Sequence, residues 1–224
     1  MDSAAKRVLD EGVEARVFTG AQAAWWTGAK RRIGSSFAGM TSSISGTPVD
    51  DETFFDIASL TKLFTTSAAL RLAARGVIDL RETIGERLPE LADSPQARAT
   101  LTQTLAHEAG FAPWAPLFES VPLLLRGTMP GKNALLDALA HTSPSSTPDG
   151  IARYSDLGFI SLGVFLERAT ATALDSLIER EVSGPLGLTR TRFRPNGVAA
   201  ATADCPWRKR LLVCEVHDDN AWAM

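Results

Sequence analysis

Ala4, Ala5, Val8 and Leu9 recur at helical spacing and predict a short opening helix. Arg16 to Trp26 then carries Val17, Phe18 and two adjacent tryptophans, and reads as a strand. The polar run Thr27-Gly28-Ala29-Lys30 turns it back into a second strand near Arg32 to Phe37. Trp25 and Trp26 fall on opposite faces of such a strand, one toward the core and one toward a neighbouring element. Thr41 to Pro48, rich in Ser, Gly and Thr, reads as a loop. Ser59 to Arg75 is rich in Leu and Ala and predicts a long helix, with Gly76 in the C-terminal stop position. Short helices are expected at Thr102 to His107 and Asn133 to His141, and a Pro/Ser loop at Ser143 to Gly150. Tyr154-Ser155-Asp156 then opens an apolar helix from Leu157 to about Ala169, and a last helix, Ala173 to Val182, ends at Gly184-Pro185.

Composition adds bounds rather than direction. The chain has 224 residues, 45% hydrophobic and 22% charged, which suits one globular domain or a large piece of one. We find no internal repeat, low-complexity tract or linker, so residues 1–224 are expected to form a single domain. The formal net charge of −3, with arginines interspersed among acids, supplies no global attraction to nucleic acid or anionic lipid. Cys205 and Cys214 do not have metal-ligand spacing; two thiols are expected, with a single bridge left open. The polar start, Met1 to Gly12, does not resemble a secretory signal, and no apolar run reaches the length of a membrane helix. A cytoplasmic location is the resulting expectation.

Two short elements carry candidate chemistry. Ser59-Leu60-Thr61-Lys62 sets a Ser and a Lys three apart at a helix start, on one helical face, so that the lysine can reach the hydroxyl. A serine hydroxyl is a poor nucleophile until a neighbour accepts its proton. The positive end of the helix dipole and burial are both expected to lower the Lys62 pKa and ready it as that base. Backbone N–H groups at the same helix start would face an oxyanion. The plainer reading is that Ser59 only caps the helix, but a cation three residues on is the wrong charge for a capping box.

Tyr154, the only tyrosine, opens the second element. A phenol beside a cationic lysine can accept or donate a proton, and Asp156 could hold Lys62 in place. Here the plainer reading is a core tyrosine followed by an aspartate cap.

Together these elements resemble the beta-lactamase-like serine hydrolases, the group that includes class C beta-lactamases, D-alanyl-D-alanine peptidases and related esterases. Ser59-Leu60-Thr61-Lys62 matches the first family motif and Tyr154-Ser155-Asp156 the second. The text around them is similar too: FFDIASLTKLFTT, LAARGVIDLRETIGERLPEL, YSDLGFISLGVFLERAT and GPLGLTRTRFRP. TLAHEAGFAPW resembles the family's His-Thr-Ser-Gly-Leu loop, with Glu108 and Ala109 in place of Thr and Ser. The tyrosine motif points away from class A enzymes.

The resemblance implies an α+β fold, an antiparallel sheet against helices with a largely helical subdomain between the motifs. It implies a serine hydrolase working through an acyl-enzyme, with Ser59 as nucleophile, Lys62 and Tyr154 relaying the proton and Asp156 positioning Lys62. Implied substrates are small-molecule esters, amides or lactams and D-amino-acid peptides, and the missing signal tilts the expectation toward an esterase-like member. The third family motif, Lys-Thr-Gly or His-x-Gly, is not found beyond Tyr154. Most C-terminal strands are therefore expected to be missing, and the alternative is a catalytically impaired fragment or non-catalytic remnant.

His107, His141 and His217 are too far apart to assign as metal ligands, and His217-Asp218-Asp219 lacks a second histidine at ligand spacing. No Gly-rich phosphate loop or dinucleotide fingerprint is present, so neither cofactor nor metal is expected. The oligomeric state is left open.

Overall fold

The structure is a computed structural model that describes residues 2–28 and 32–224. Its residues divide into two compact units, Met1–Ile57 with Arg194–His217 and Ala58–Phe193 with Asp218–Met224.

The first unit holds the opening helix, α1 (Asp2–Glu14), and the hairpin of β1 (Gly20–Thr27) and β2 (Arg32–Gly39). The strands pair antiparallel from Gly20 opposite Gly39 to Thr27 opposite Arg32. The predicted turn, Thr27 to Lys30, includes Ala29 and Lys30, which lie outside the described residues. β1 begins at Gly20 rather than at Arg16, because Arg16 takes a left-handed turn (φ 56°) to end α1. The tryptophans alternate, but not between a core and a neighbouring element: Trp25, half-buried, lies over Gly34 on the facing strand, while Trp26 is exposed.

The later part of this unit joins the earlier one by a parallel bridge at Phe54 and Ala199. It closes in a small hairpin of β3 (Asp204–Cys205) and β4 (Arg210–Leu211). Arg208, with its side chain fully buried, donates to the carbonyls of Val216 and His217 and pairs with Glu215.

The second unit is helical. A 3-10 turn at Ala58–Leu60 leads into α2 (Thr61–Ala74), so the α-helix begins two residues later than the sequence suggests. Its end matches the prediction. Gly76 (φ 70°) donates to the Ala73 carbonyl and Val77 to the Leu72 carbonyl, the paired bonds of a glycine-terminated helix.

α3 (Leu101–Leu105), α4 (Met129–Ala140) and α5 (Asp156–Thr170) follow, then α6 (Leu174–Ile178), a π-turn at Glu179–Ser183 and α7 (Asp219–Ala223). α5 is buried on most of its circumference, with Leu157, Leu162, Phe165 and Leu166 at the centre of the core beside Leu72, Leu101 and Leu136. Each such side chain contributes about 1.5–3 kcal/mol by leaving water. α7 is tied in by buried Asn220, which accepts from the Phe118 N–H and donates to the Ala115 carbonyl, both at 2.9 Å. Glu181, in the π-turn, is 1% exposed and accepts from Arg75 and Arg180. With helices and short antiparallel ladders the chain is α+β. Among the described residues no single helix is long and apolar enough to cross a membrane.

Candidate active site

Ser59 lies in the 3-10 turn that precedes α2, exposed to solvent. The residue before it, Ala58, is held at φ 45°, a region that non-glycine residues rarely occupy and that costs of order 1–3 kcal/mol. Ser59 does not cap the helix: the N-cap residue is Leu60, and no side chain caps the first turn. The serine oxygen instead meets two other groups. Lys62, one turn on, donates to it at 3.1 Å, and the Tyr154 hydroxyl donates to it at 2.6 Å.

Lys62 also donates to Asp156 Oδ1 at 2.6 Å, and its Nζ stands 4.8 Å from the centroid of the Tyr154 ring. The four side chains named from sequence therefore converge. Lys62 is mostly covered (17% exposed) and Asp156 partly so (32%), whereas Tyr154 is half open (51%). The open side of the cluster is the side of Ser59.

The charge state of Lys62 reverses the sequence expectation. Burial acts to lower its pKa, but hydrogen bonds to Asp156 and Tyr154 and the charges of both outweigh it, so the pKa is raised. The direct contact with Asp156 thus favours the ammonium form of Lys62. The helix dipole argued the other way, but a carboxylate in direct contact dominates a partial charge.

The Tyr154 segment is built from an elaborate loop. Ser155, not Asp156, caps α5: its hydroxyl accepts from the Gly158 N–H at 3.0 Å and donates to the Ala112 carbonyl at 2.6 Å. Asp156 is thereby freed from capping, and its carboxylate turns to Lys62. The Asp156 N–H donates to the Pro113 carbonyl at 2.8 Å. Gly110 shapes the same loop. Its φ is 75°, and a Cβ there would lie 2.3 Å from the Ser146 carbonyl oxygen. The buried amide of Gln96 donates to the carbonyls of Gly110 and Ser146, fixing their spacing.

His107, set aside in the sequence only as a metal ligand, borders the cluster. Its ring lies 4.7 Å from that of Tyr154 and 5.0 Å from that of Phe159. Burial, followed by the charge of Lys62, lowers its pKa against an opposing pull from Asp156. The sequence placed it only as the last residue of the predicted helix Thr102 to His107; the structure ends that helix at Leu105 and sets His107 just beyond it. Asp218 caps α7. Among the described residues no three histidine, cysteine or carboxylate groups gather as a metal site.

A family model described as Beta-lactamase matches residues 5–223. The chain belongs to the Beta-lactamase family. A relative from Salmonella agona (strain SL483), a D-alanyl-D-alanine carboxypeptidase by assigned name, is 29% identical over 194 residues. That match covers 76% of this chain and 45% of the relative, so the chain spans about half the length of the curated relatives it matches. Among solved structures, a D-amino acid amidase from Ochrobactrum anthropi SV3 superposes with a TM-score of 0.71 at 22% identity, over 89% of this chain and 55% of that one. A class C beta-lactamase mutant gives the same TM-score and coverage at 18% identity. These likenesses show a beta-lactamase/transpeptidase-like fold. The Beta-lactamase family is one of serine hydrolases.

Proposed function

We propose that this Beta-lactamase-family chain carries the nucleophilic half of a serine hydrolase site and forms an acyl-enzyme at Ser59. The observation that carries the reading is the convergence of Tyr154 and Lys62 on one exposed serine oxygen, at 2.6 and 3.1 Å. Ser59 Oγ attacks the substrate carbonyl carbon, and its proton passes to the Tyr154 oxygen. To accept that proton Tyr154 has first to give up its own, so it enters the step as a phenolate, and the Lys62 ammonium supplies the opposing charge. Asp156 holds that ammonium in place. The proton then returns from Tyr154 to the leaving group as the acyl–nitrogen or acyl–oxygen bond breaks. Water, deprotonated by Tyr154, then attacks the acyl carbon, and that proton passes from Tyr154 to Ser59 Oγ as the ester bond breaks. The Ser59 backbone N–H at the helix start supplies one oxyanion donor.

For substrate we propose small amides, lactams or esters. The names of the relatives share an acyl–nitrogen bond, in a peptide, an amide and a lactam, and two of the three specify a D-amino acid. Purified protein treated with a fluorophosphonate probe should be labelled once, at Ser59, and Ser59→Ala should abolish the label. An unlabelled wild type would favour the impaired-remnant reading.

A further inference from the structure

The side chain and main chain of His107 grip the segment that bears Tyr154 from both sides. The Arg153 N–H donates to the His107 carbonyl at 2.8 Å, and the Ser155 N–H donates to His107 Nδ1 at 3.0 Å. Between these two bonds the Tyr154 ring lies on the imidazole, with planes 34° apart. Phe159 of α5 backs the imidazole at 5.0 Å. His107 makes these contacts from a left-handed conformation, φ 61°, a strained position that its contacts hold. We infer that His107 is a positioning residue for Tyr154, acting through the Ser155 N–H bond and the ring contact to hold the phenol oxygen against Ser59. The inference rests on the reading of Tyr154 as the proton acceptor.

The geometry gives Nδ1 one duty. It must accept, so any ring proton belongs on Nε2, and a change that removes the acceptor leaves the Ser155 N–H unpaired beside a buried cap. Released from that bond, the segment could keep its fold through Ser155 and Asp156 while Tyr154 drifted. A misplacement of about 1 Å can cost ~10²-fold in rate.

Three variants separate the parts. His107→Asn keeps a left-handed residue and an acceptor near the Nδ1 position. His107→Gly relaxes the backbone but offers no acceptor, and His107→Phe keeps a ring without one. Probe labelling at Ser59 should fall about 10²-fold in His107→Gly and His107→Phe, with His107→Asn retaining most of the wild-type rate. A second readout is independent of activity. Tyr154 is the only tyrosine, so protein grown on fluorotyrosine gives one fluorine resonance from this residue. That resonance should be single and narrow in wild type and His107→Asn, and broadened or split in His107→Gly and His107→Phe. If wild type is unlabelled but the resonance responds in this way, the catalytic reading fails and the positioning role stands. An unchanged resonance in His107→Gly and His107→Phe overturns the inference, as do labelling rates equal to wild type in both.

Discussion

The Tyr154 hydroxyl lies 2.6 Å from Ser59 Oγ, although 95 positions separate the two residues in the chain. Their meeting depends on two helix starts that are tuned differently. At α2 the serine is kept out of the cap, and at α5 a different serine, Ser155, takes the cap. Both choices leave a reactive group pointing at the same point in solvent.

Removing only the phenol oxygen tests that relationship. Tyr154→Phe should lower the rate of Ser59 labelling by about 10²–10⁴-fold, the usual worth of a positioned acid–base group. The half-exposed ring remains, so circular dichroism and the thermal midpoint should match wild type within error. Labelling at the wild-type rate would sink the proposed role of Tyr154.

Lys62 gives a signed pH prediction. Its pKa is raised in the folded chain, so the stability it contributes is complete below the unfolded lysine value of about 10.4 and fades as pH rises through the folded value. The stability difference between wild type and Lys62→Met, followed by urea titration, should be level through neutral pH and shrink only in the alkaline limb. A difference that grows with pH would contradict a favoured ammonium.

Glu181 gives the opposite sign. Burial acts to raise its pKa, but Arg180 and Arg75 outweigh it and the carboxyl titrates below the ordinary glutamate range. Its contribution is therefore present above the unfolded value of about 4.3 and lost as pH falls below it. Glu181→Ala should cost about 1–3 kcal/mol at pH 7, less at pH 3, measured by denaturant unfolding. The cost is moderate because the arginines it leaves behind are about half exposed and can rehydrate.

Gly110 tests the loop that supports the site. Gly110→Ala places a methyl against the Ser146 carbonyl in a backbone region unfavourable to alanine, and should destabilise by roughly 1–3 kcal/mol. The same variant should slow Ser59 labelling, because Ala112 and Pro113 of this loop hold Ser155 and Asp156. Stability and labelling both equal to wild type would show that the loop does not support the segment.

Much of the fold was legible in the chain because its signals are local. Periodicity placed α1, the hairpin, α2 and α5, and Gly76 marked the end of α2 where a left-handed residue was needed. Ser59, Lys62, Tyr154 and Asp156 were legible as two short motifs, with the spacing of Ser59 and Lys62 already fixing one side of the cluster. The start of α2 was misplaced by two residues, since a 3-10 turn at Ala58–Leu60, entered through Ala58 at φ 45°, precedes the α-helix.

What tertiary structure alone decided was charge and support. The sequence could place Lys62 at a positive helix end, but only the fold brought Asp156 within 2.6 Å of it and favoured the ammonium where a base was expected. Likewise, nothing local marked His107 as the residue that brackets Tyr154, because both of its bonds are to residues some 50 positions away. Spacing along a chain determines which groups share a helical face. Hydrogen bonds and charges between distant segments depend on distances that only packing sets.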